Sequence, residues 1–289
     1  MLLVLLIGLF IKGPSIAKSY ALYYDELILK ENANRFSVRS MATLELPQSS
    51  KSTIALAGGA FIIALWCTIS MENASVWLFV LALAISGFVG DLFTGLAHFG
   101  FDYVFPEKMP ILGPIAKEFR EHHDSPTLDP SDYVVNLTKG AYASLPLSIV
   151  TVVLIATSSG SWLSFLCTAT FLGMSFWAFF FHQIHSYAHM GACVSPDDFK
   201  ASVQRISRLP TLEEKRREFE KLFDAAPIPP VIRLLQKSRI ILNPEMHNLH
   251  HISFESDFSS VNGWSDPLIN WILGPLARRL KARSEAADA

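Results

Sequence analysis

All nine histidines of this 289-residue chain fall in four short windows. They are His98; His122-His123; His182, His185 and His189; and His247, His250 and His251. Neutral imidazole is a ligand for iron, zinc, copper and nickel. The spacings suit helices. His185 and His189 are i,i+4 neighbours, with His182 three and seven residues ahead of them, and Asp91, His98 and Asp102 are seven and four apart. His247, His250 and His251 form an H-x-x-H-H group that aims three imidazoles from little more than one turn. A catalytic zinc takes three protein ligands and an open position. Eight or nine converging histidines exceed that, and they suit two metal ions with roughly four imidazoles each. No thiolate accompanies the windows apart from Cys193, which argues against copper(I) and iron–sulfur binding. A dinuclear iron centre fits best, because it reduces O2 and takes hydrogen from unactivated C–H bonds, chemistry that side chains do not perform unaided. Asp102 is read as a ligand or a neighbour that accepts from a ligand imidazole. Glu121 and Asp124 are expected beside the site or in solvent. Asp91, inside an apolar run, is either functional or a helix-packing hydrogen bond.

Elements must bring the four windows together, and the composition says which. Hydrophobic residues make up 51% of the chain and charged residues 17%, with mean hydropathy +0.32. That excludes a disordered chain and disfavours an ordinary soluble domain. A net charge of −2 lacks the basic footprint that nucleic-acid binding requires. Ser52–Ser70 carries no charge, 74–97 carries only Asp91, and 141–181 is uncharged over 41 residues, broken by Ser158-Ser159-Gly160-Ser161. About 20 apolar residues span a bilayer. The predicted fold is therefore all-α: a polytopic membrane protein with four transmembrane helices, about 52–71, 75–97, 141–158 and 162–182, and a cytoplasmic histidine-rich helical cap. Lys and Arg are confined to residues 1–51, the loop 98–140 and 182–289, and the two short turns hold none. By the positive-inside rule both termini and the central loop face the cytoplasm, as does every histidine window.

Residues 1–51 are read as a variable leader and 52–289 as the catalytic domain. Met1–Ile11 is too short to span and makes a poor secretory signal. Val231–Leu242 and Trp264–Leu280 are expected to lie on the membrane surface, with Trp264 and Trp271 as interface anchors.

Five stretches in order carry a resemblance. Gly95–Asp102 (GLAHFGFD), Phe119–Pro126 (FREHHDSP), Gln183–His189 (QIHSYAH), His247–His251 (HNLHH) and Asn262-Gly263-Trp264 together resemble the Kua family of membrane lipid desaturases, which includes plasmanylethanolamine desaturase and a plastid acyl-lipid desaturase. The resemblance implies an O2-dependent enzyme with two iron ions, held by His98, His122, His123, His185, His189, His247, His250 and His251, with Asp102 and the intramembrane Asp91 also carried over. It implies a membrane phospholipid substrate, a cytochrome b5-type or ferredoxin-type electron donor, and a new double bond near the glycerol. The favoured reaction converts a 1-O-alkyl lipid to a vinyl ether. The membrane expected is the endoplasmic reticulum in a eukaryote, otherwise a plastid or bacterial inner membrane. His182 has no counterpart in the family, and a further family histidine stands here near Glu255, so either residue is a candidate substitute ligand.

Other readings stay open on the residues alone. An acyl-lipid desaturase or hydroxylase would use the same metals. A membrane zinc hydrolase is disfavoured by the absence of H-E-x-x-H. A haem or metal-transport protein would call for ionisable residues through the spans, where only Asp91 stands.

Overall fold

The computed structural model describes residues 50–110, 112–124, 130, 132–189, 196–226 and 228–288. Residues 1–49 of the leader, Cys193 and the side chain of Asp124 lie outside the described residues. Within them the protein is all-helical, and four helices are long and apolar enough to cross a membrane. Helix α1 is Lys51–Ile69, and α2 is Val76–Phe99, which runs on into a π-helical turn, Gly100–Val104. Helix α3 is Leu112–Asp124, α4 is Tyr133–Ala156 and α5 is Trp162–Ala188. Five further helices follow: α6 Pro196–Ser207, α7 Leu212–Ala225, α8 Pro230–Lys237, α9 Pro244–Ser253 and α10 Asp266–Asp288.

Uncharged runs become helices here because only a helix satisfies its own backbone in hydrocarbon. Side chains mark where three of the four spanning helices begin. Ser50, Asp132 and Ser161 accept the backbone N–H of Thr53, Val135 and Ser164 at the starts of α1, α4 and α5. The third and fourth spans are longer than their uncharged cores. Helix α4 starts eight residues earlier than expected, and α5 continues six residues further. Both extensions lie at the histidine end, where packing against the cap replaces lipid contact and polar residues are admitted.

Helix α4 packs on α5, α2 on α5, and α1 on α4. Small residues set how closely. A Cβ on Gly140 would sit 2.0 Å from the Phe179 carbonyl oxygen, and one on Gly173 would sit 2.2 Å from Ser86 Oγ. The Ser148 and Ser175 hydroxyls meet at 2.7 Å, and Ser175 also donates to the Ser144 carbonyl at 3.1 Å. This is membrane-type association, driven by close packing and interhelical hydrogen bonds rather than by apolar burial. The apolar side chains instead face outward, Ile62, Ile63, Trp66, Trp77 and Val153 among them.

The chain direction places the ends of α2 and α5 and the starts of α1 and α4 at one end of the bundle. There the Ser50 N–H donates to Thr138 Oγ1 at 3.0 Å. The cap builds on that end through backbone carbonyls of α5: Asn248 of α9 donates to Ala188 O and Gln236 of α8 to Tyr187 O. Helices α8 and α10 keep Val231, Leu234, Leu268, Trp271 and Ile272 exposed, as membrane-surface helices would.

Candidate metal centre

Four elements deliver the site. Helix α2 and its π-turn bring His98 and Asp102, and the tail of α5 brings His185 and His189. Helix α3 ends on His122 and His123, and α9 carries His247, His250 and His251. Their donor atoms fall into two groups. One gathers His122, His185, His189, His247 and His251; the other gathers His98, Asp102, His123 and His250. Helices α3 and α9 serve both. Adjacent residues on α3 leave it in different directions, so His122 joins the first group and His123 the second. On α9, His247 and His251 share a face while His250 points to the neighbouring group. The groups touch, with the rings of His123 and His251 only 4.7 Å apart between centroids. An even division of four imidazoles each is therefore corrected to five imidazoles in one group, and three with a carboxylate in the other.

Hydrogen bonding alone does not account for this packing. His189 Nε2 lies 3.2 Å from His122 Nε2, 3.2 Å from His185 Nε2 and 3.0 Å from His247 Nε2. His247 Nε2 is also 2.9 Å from His185 Nε2 and 3.1 Å from His251 Nε2. One ring nitrogen takes part in one hydrogen bond, as donor or as acceptor. Three close neighbours apiece mean lone pairs converging on a common point, which is how imidazoles surround a cation. With metal–nitrogen bonds of about 2.0–2.1 Å, neighbouring donors sit about 3.3–3.4 Å apart in a tetrahedron and about 2.9–3.0 Å apart in an octahedron. The observed edges and the five donors fit the higher coordination number.

The second group makes the same point with charge. The Asp102 side chain is buried, and among the described residues neither of its carboxylate oxygens has a hydrogen-bond partner; nor does His250 Nε2. Asp102 Oδ2 is 3.6 Å from His98 Nε2 and 3.5 Å from His250 Nε2, and Oδ1 is 3.7 Å from His123 Nε2. A buried carboxylate without partners is costly, and a cation among these four donors removes the cost.

Backbone carbonyls hold the rings in register. His98 Nδ1 donates to Phe258 O at 2.9 Å, and His250 Nδ1 to Ser256 O at 2.7 Å. A carbonyl only accepts, so Nδ1 carries the proton and Nε2 presents its lone pair to the centre. Burial reinforces this. It lowers His122 from 6.5 to about 4 and His123 to about 2, and pushes His189, His247 and His251 well below the ordinary value. At neutral pH all five are uncharged and able to bind a metal.

The segment after α9 supplies those carbonyls, and Asp91 holds part of it. Asp91 Oδ1 accepts the N–H groups of Val261, Asn262 and Gly263 at 3.1, 2.9 and 3.1 Å. Oδ2 accepts Ser265 N–H at 2.9 Å and its hydroxyl at 2.8 Å. Asp91 is therefore a loop anchor outside both donor groups, and Asn262-Gly263-Trp264 is the loop it anchors. Ser260, just ahead of that loop, is 3.3 Å from His98 Nδ1.

The structure brings together all eight histidines named from the family resemblance, and Asp102. His182 stays outside both groups. It shares a helical face with His189 but lies seven residues earlier, about 10 Å down the axis at 1.5 Å per residue. Glu255 is also outside; it pairs with Lys281 at 3.2 Å. Glu121 is exposed beside Lys117. Sequence reasoning missed the π-helical turn and the carbonyls of Ser256 and Phe258, since neither carries a side-chain signal.

A family model described as lipid desaturase domain matches residues 87–217, which include His98, Asp102, His122, His123, His185 and His189. Residues 87–217 of this chain thus form a lipid desaturase domain. The chain is 27% identical over 247 residues to plasmanylethanolamine desaturase of Myxococcus xanthus, a match covering 80% of this chain and 73% of that one. No solved structure matches it. A lipid desaturase domain implies an oxidoreductase of membrane lipids, and among the described residues it sits with four helices apolar and long enough to cross a membrane and with histidine groups suited to a metal cofactor.

Proposed function

We propose that this desaturase is an O2-dependent di-iron enzyme that converts a 1-O-alkyl phospholipid to the vinyl ether. The observation that carries the reading is the pair of adjoining donor groups, five imidazoles beside three imidazoles and a carboxylate. The relative's substrate supports the choice of lipid. His122, His185, His189, His247 and His251 would hold one iron, and His98, Asp102, His123 and His250 the other. Bound there, iron supplies the O2 activation that no side chain provides. The balance is one O2, two electrons and two protons consumed, two hydrogens removed from adjacent chain carbons, and two waters formed. The electrons come from a cytochrome b5-type or ferredoxin-type donor.

The protein's own residues set the conditions. Neutral Nε2 atoms present lone pairs, Asp102 offsets cationic charge, and the Ser256 and Phe258 carbonyls keep His250 and His98 aligned. Residues 52–289 form the catalytic domain in this reading. The basic residues at the histidine end support a cytoplasmic side for that end and both termini. Reaction at the membrane surface rather than mid-bilayer suits a double bond close to the glycerol.

The test is elemental mass spectrometry of detergent-purified protein, followed by lipid mass spectrometry on cells with and without the gene. The expected result is about two iron ions per chain and a gene-dependent vinyl ether lighter than its parent by two hydrogens. Loss of iron and product in His250→Ala should accompany it. One tightly held zinc and no iron refutes the reading, and a product heavier by one oxygen reassigns it to a hydroxylase.

A further inference from the structure

Arg120, in the FREHHDSP stretch, has no lone pair to give a metal, yet it grips the element that carries Asp102. It stands on α3 two residues ahead of His122 and reaches back to the π-helical turn Gly100–Val104. Its Nε donates to the Asp102 carbonyl at 3.3 Å and its Nη2 to the Phe105 carbonyl at 2.8 Å, while Nη1 donates to Glu107 Oε1 at 3.4 Å. One guanidinium thus holds three points of the segment between α2 and α3. Its rigid planar fork fixes two carbonyls at once, which an ammonium on a flexible stem does not.

The turn needs holding. Its carboxylate is buried without a hydrogen-bond partner among the described residues, and such a group is drawn toward water. It also lies where the helix ends, at the bond from Phe105 N–H to the Gly100 carbonyl at 2.8 Å. Neighbouring contacts fold the chain closely over it. A Cβ on Gly100 would sit 2.6 Å from the Phe105 ring. Phe101 stacks on Phe119 of α3 at 4.8 Å between centroids, and Phe119 meets the His98 ring at 5.2 Å. The Tyr103 hydroxyl donates to the Phe254 carbonyl just past α9. A π-turn of this kind carries an extra residue within a helix and recurs at functional sites.

What Arg120 leaves alone matters as much as what it grips. It binds the carbonyl of Asp102 and not the carboxylate, so the negative charge stays available to a cation shared with His98, His123 and His250. An arginine on the carboxylate would compete with that cation. The charge of Arg120 is answered instead by Glu107, whose side chain is half exposed. None of the three bonds reaches a residue of the five-imidazole group, although Arg120 shares α3 with His122.

From this geometry we infer that Arg120 is a positioning residue for one of the two ions. It fixes the π-helical turn so that Asp102 faces His98, His123 and His250, and it governs the affinity of that group alone. The inference rests on the two-metal reading of the proposed function. Residues that orient a metal ligand in this way typically change metal affinity roughly 10–100-fold. Loss of Arg120 should therefore cost about that factor at the Asp102 group and leave the five imidazoles as they are.

The test counts metal, so it does not depend on turnover. Full-length protein in detergent is stripped of metal, loaded with cobalt(II) and desalted against a competing chelator. Elemental mass spectrometry gives the count and visible absorption reports the coordination sphere. The wild type should keep about two ions per chain and Arg120→Gln about one. The absorption missing from Arg120→Gln should match that missing from Asp102→Ala and differ from that missing from His189→Ala. Arg120→Lys keeps the charge but reaches one carbonyl at a time, so its affinity should fall between wild type and Arg120→Gln. It also carries the test if Arg120→Gln fails to fold. Two ions retained by folded Arg120→Gln overturn the inference. Equal loss from both groups does so too, since it marks a purely structural role, and wild-type affinity in Arg120→Lys would leave charge without the fork and overturn it as well. Lipid mass spectrometry keeps the two readings apart. Selective loss of one ion in the variant of a protein that forms no alkene would support the clamp while refuting the desaturase reading. Alkene formation with an unaffected Asp102 group would do the reverse.

Discussion

Replacing Asp91 with Asn tests whether a residue remote from the donor groups keeps them assembled. The carboxylate accepts five hydrogen bonds from the loop Val261–Ser265. Asn preserves the shape and one acceptor oxygen. With that oxygen at the Oδ1 position, the Val261, Asn262 and Gly263 bonds persist in weaker, uncharged form. The amide NH2 then faces Ser265 N–H, donor against donor, and that bond is lost, while the Ser265 hydroxyl can turn and accept from the amide. Leaving that buried donor unmet costs about 1–3 kcal/mol, and the loss of charge from the three Oδ1 bonds costs about as much again, so the loop's docking should weaken by about 2–6 kcal/mol. Against a total stability of about 5–15 kcal/mol, that is enough to release the segment without unfolding the bundle. Ser260 and the Phe258 carbonyl, which hold His98 Nδ1, move with it. The expected outcome is a lower melting temperature in detergent together with reduced metal retention in the His98 group. Asp91→Ala should be worse than Asp91→Asn, because it removes every acceptor. The assay is thermal unfolding by intrinsic fluorescence, paired with elemental analysis. Wild-type melting and full metal content in Asp91→Asn would refute the account of this residue as the loop's anchor.

Further outcomes follow from the cap. In metal-stripped protein the lowered values of His122 and His123 mean that the unfolded chain takes up protons first as pH falls. Stability should therefore be highest above pH 6.5 and decline from there down to about 4 for His122, with His123 extending the decline further; a melting temperature that stays flat or rises between pH 7.5 and 5 contradicts this. Arg233 joins Glu245, at the start of α9, across 2.5 Å, with side-chain exposures of 11% and 5%. Breaking such a pair typically costs about 3–5 kcal/mol, so Arg233→Met should destabilise the cap, and the double variant with Glu245→Met should recover much of the loss in the same thermal assay.

The spans were legible because lipid imposes one rule on every residue: apolar side chains outside, backbone satisfied within the helix. Uncharged runs such as 141–181 admit few other readings. The metal chemistry was legible because histidine is costly to bury without a partner, so nine of them in four windows at one membrane face already imply a common ligand. What the sequence did not contain was the division of labour. His122 and His123 are neighbours in the chain yet serve different groups, and that depends on how α3 crosses α9. His182 repeats the heptad spacing of His189 yet lies too far down α5 to take part. Asp91 reads as a candidate ligand by type and position, and only the return of the loop Val261–Ser265, some 170 residues later, makes it an anchor. A charged cavity lined by Arg239, Asp257 and Asp266 was invisible for the same reason. Arg239, Asp257 and Asp266 sit in segments with no shared periodicity, and their meeting depends on left-handed backbone turns that the surrounding contacts hold in place. Local composition determined what kinds of groups this lipid desaturase carries; long-range packing decided which of them face one another.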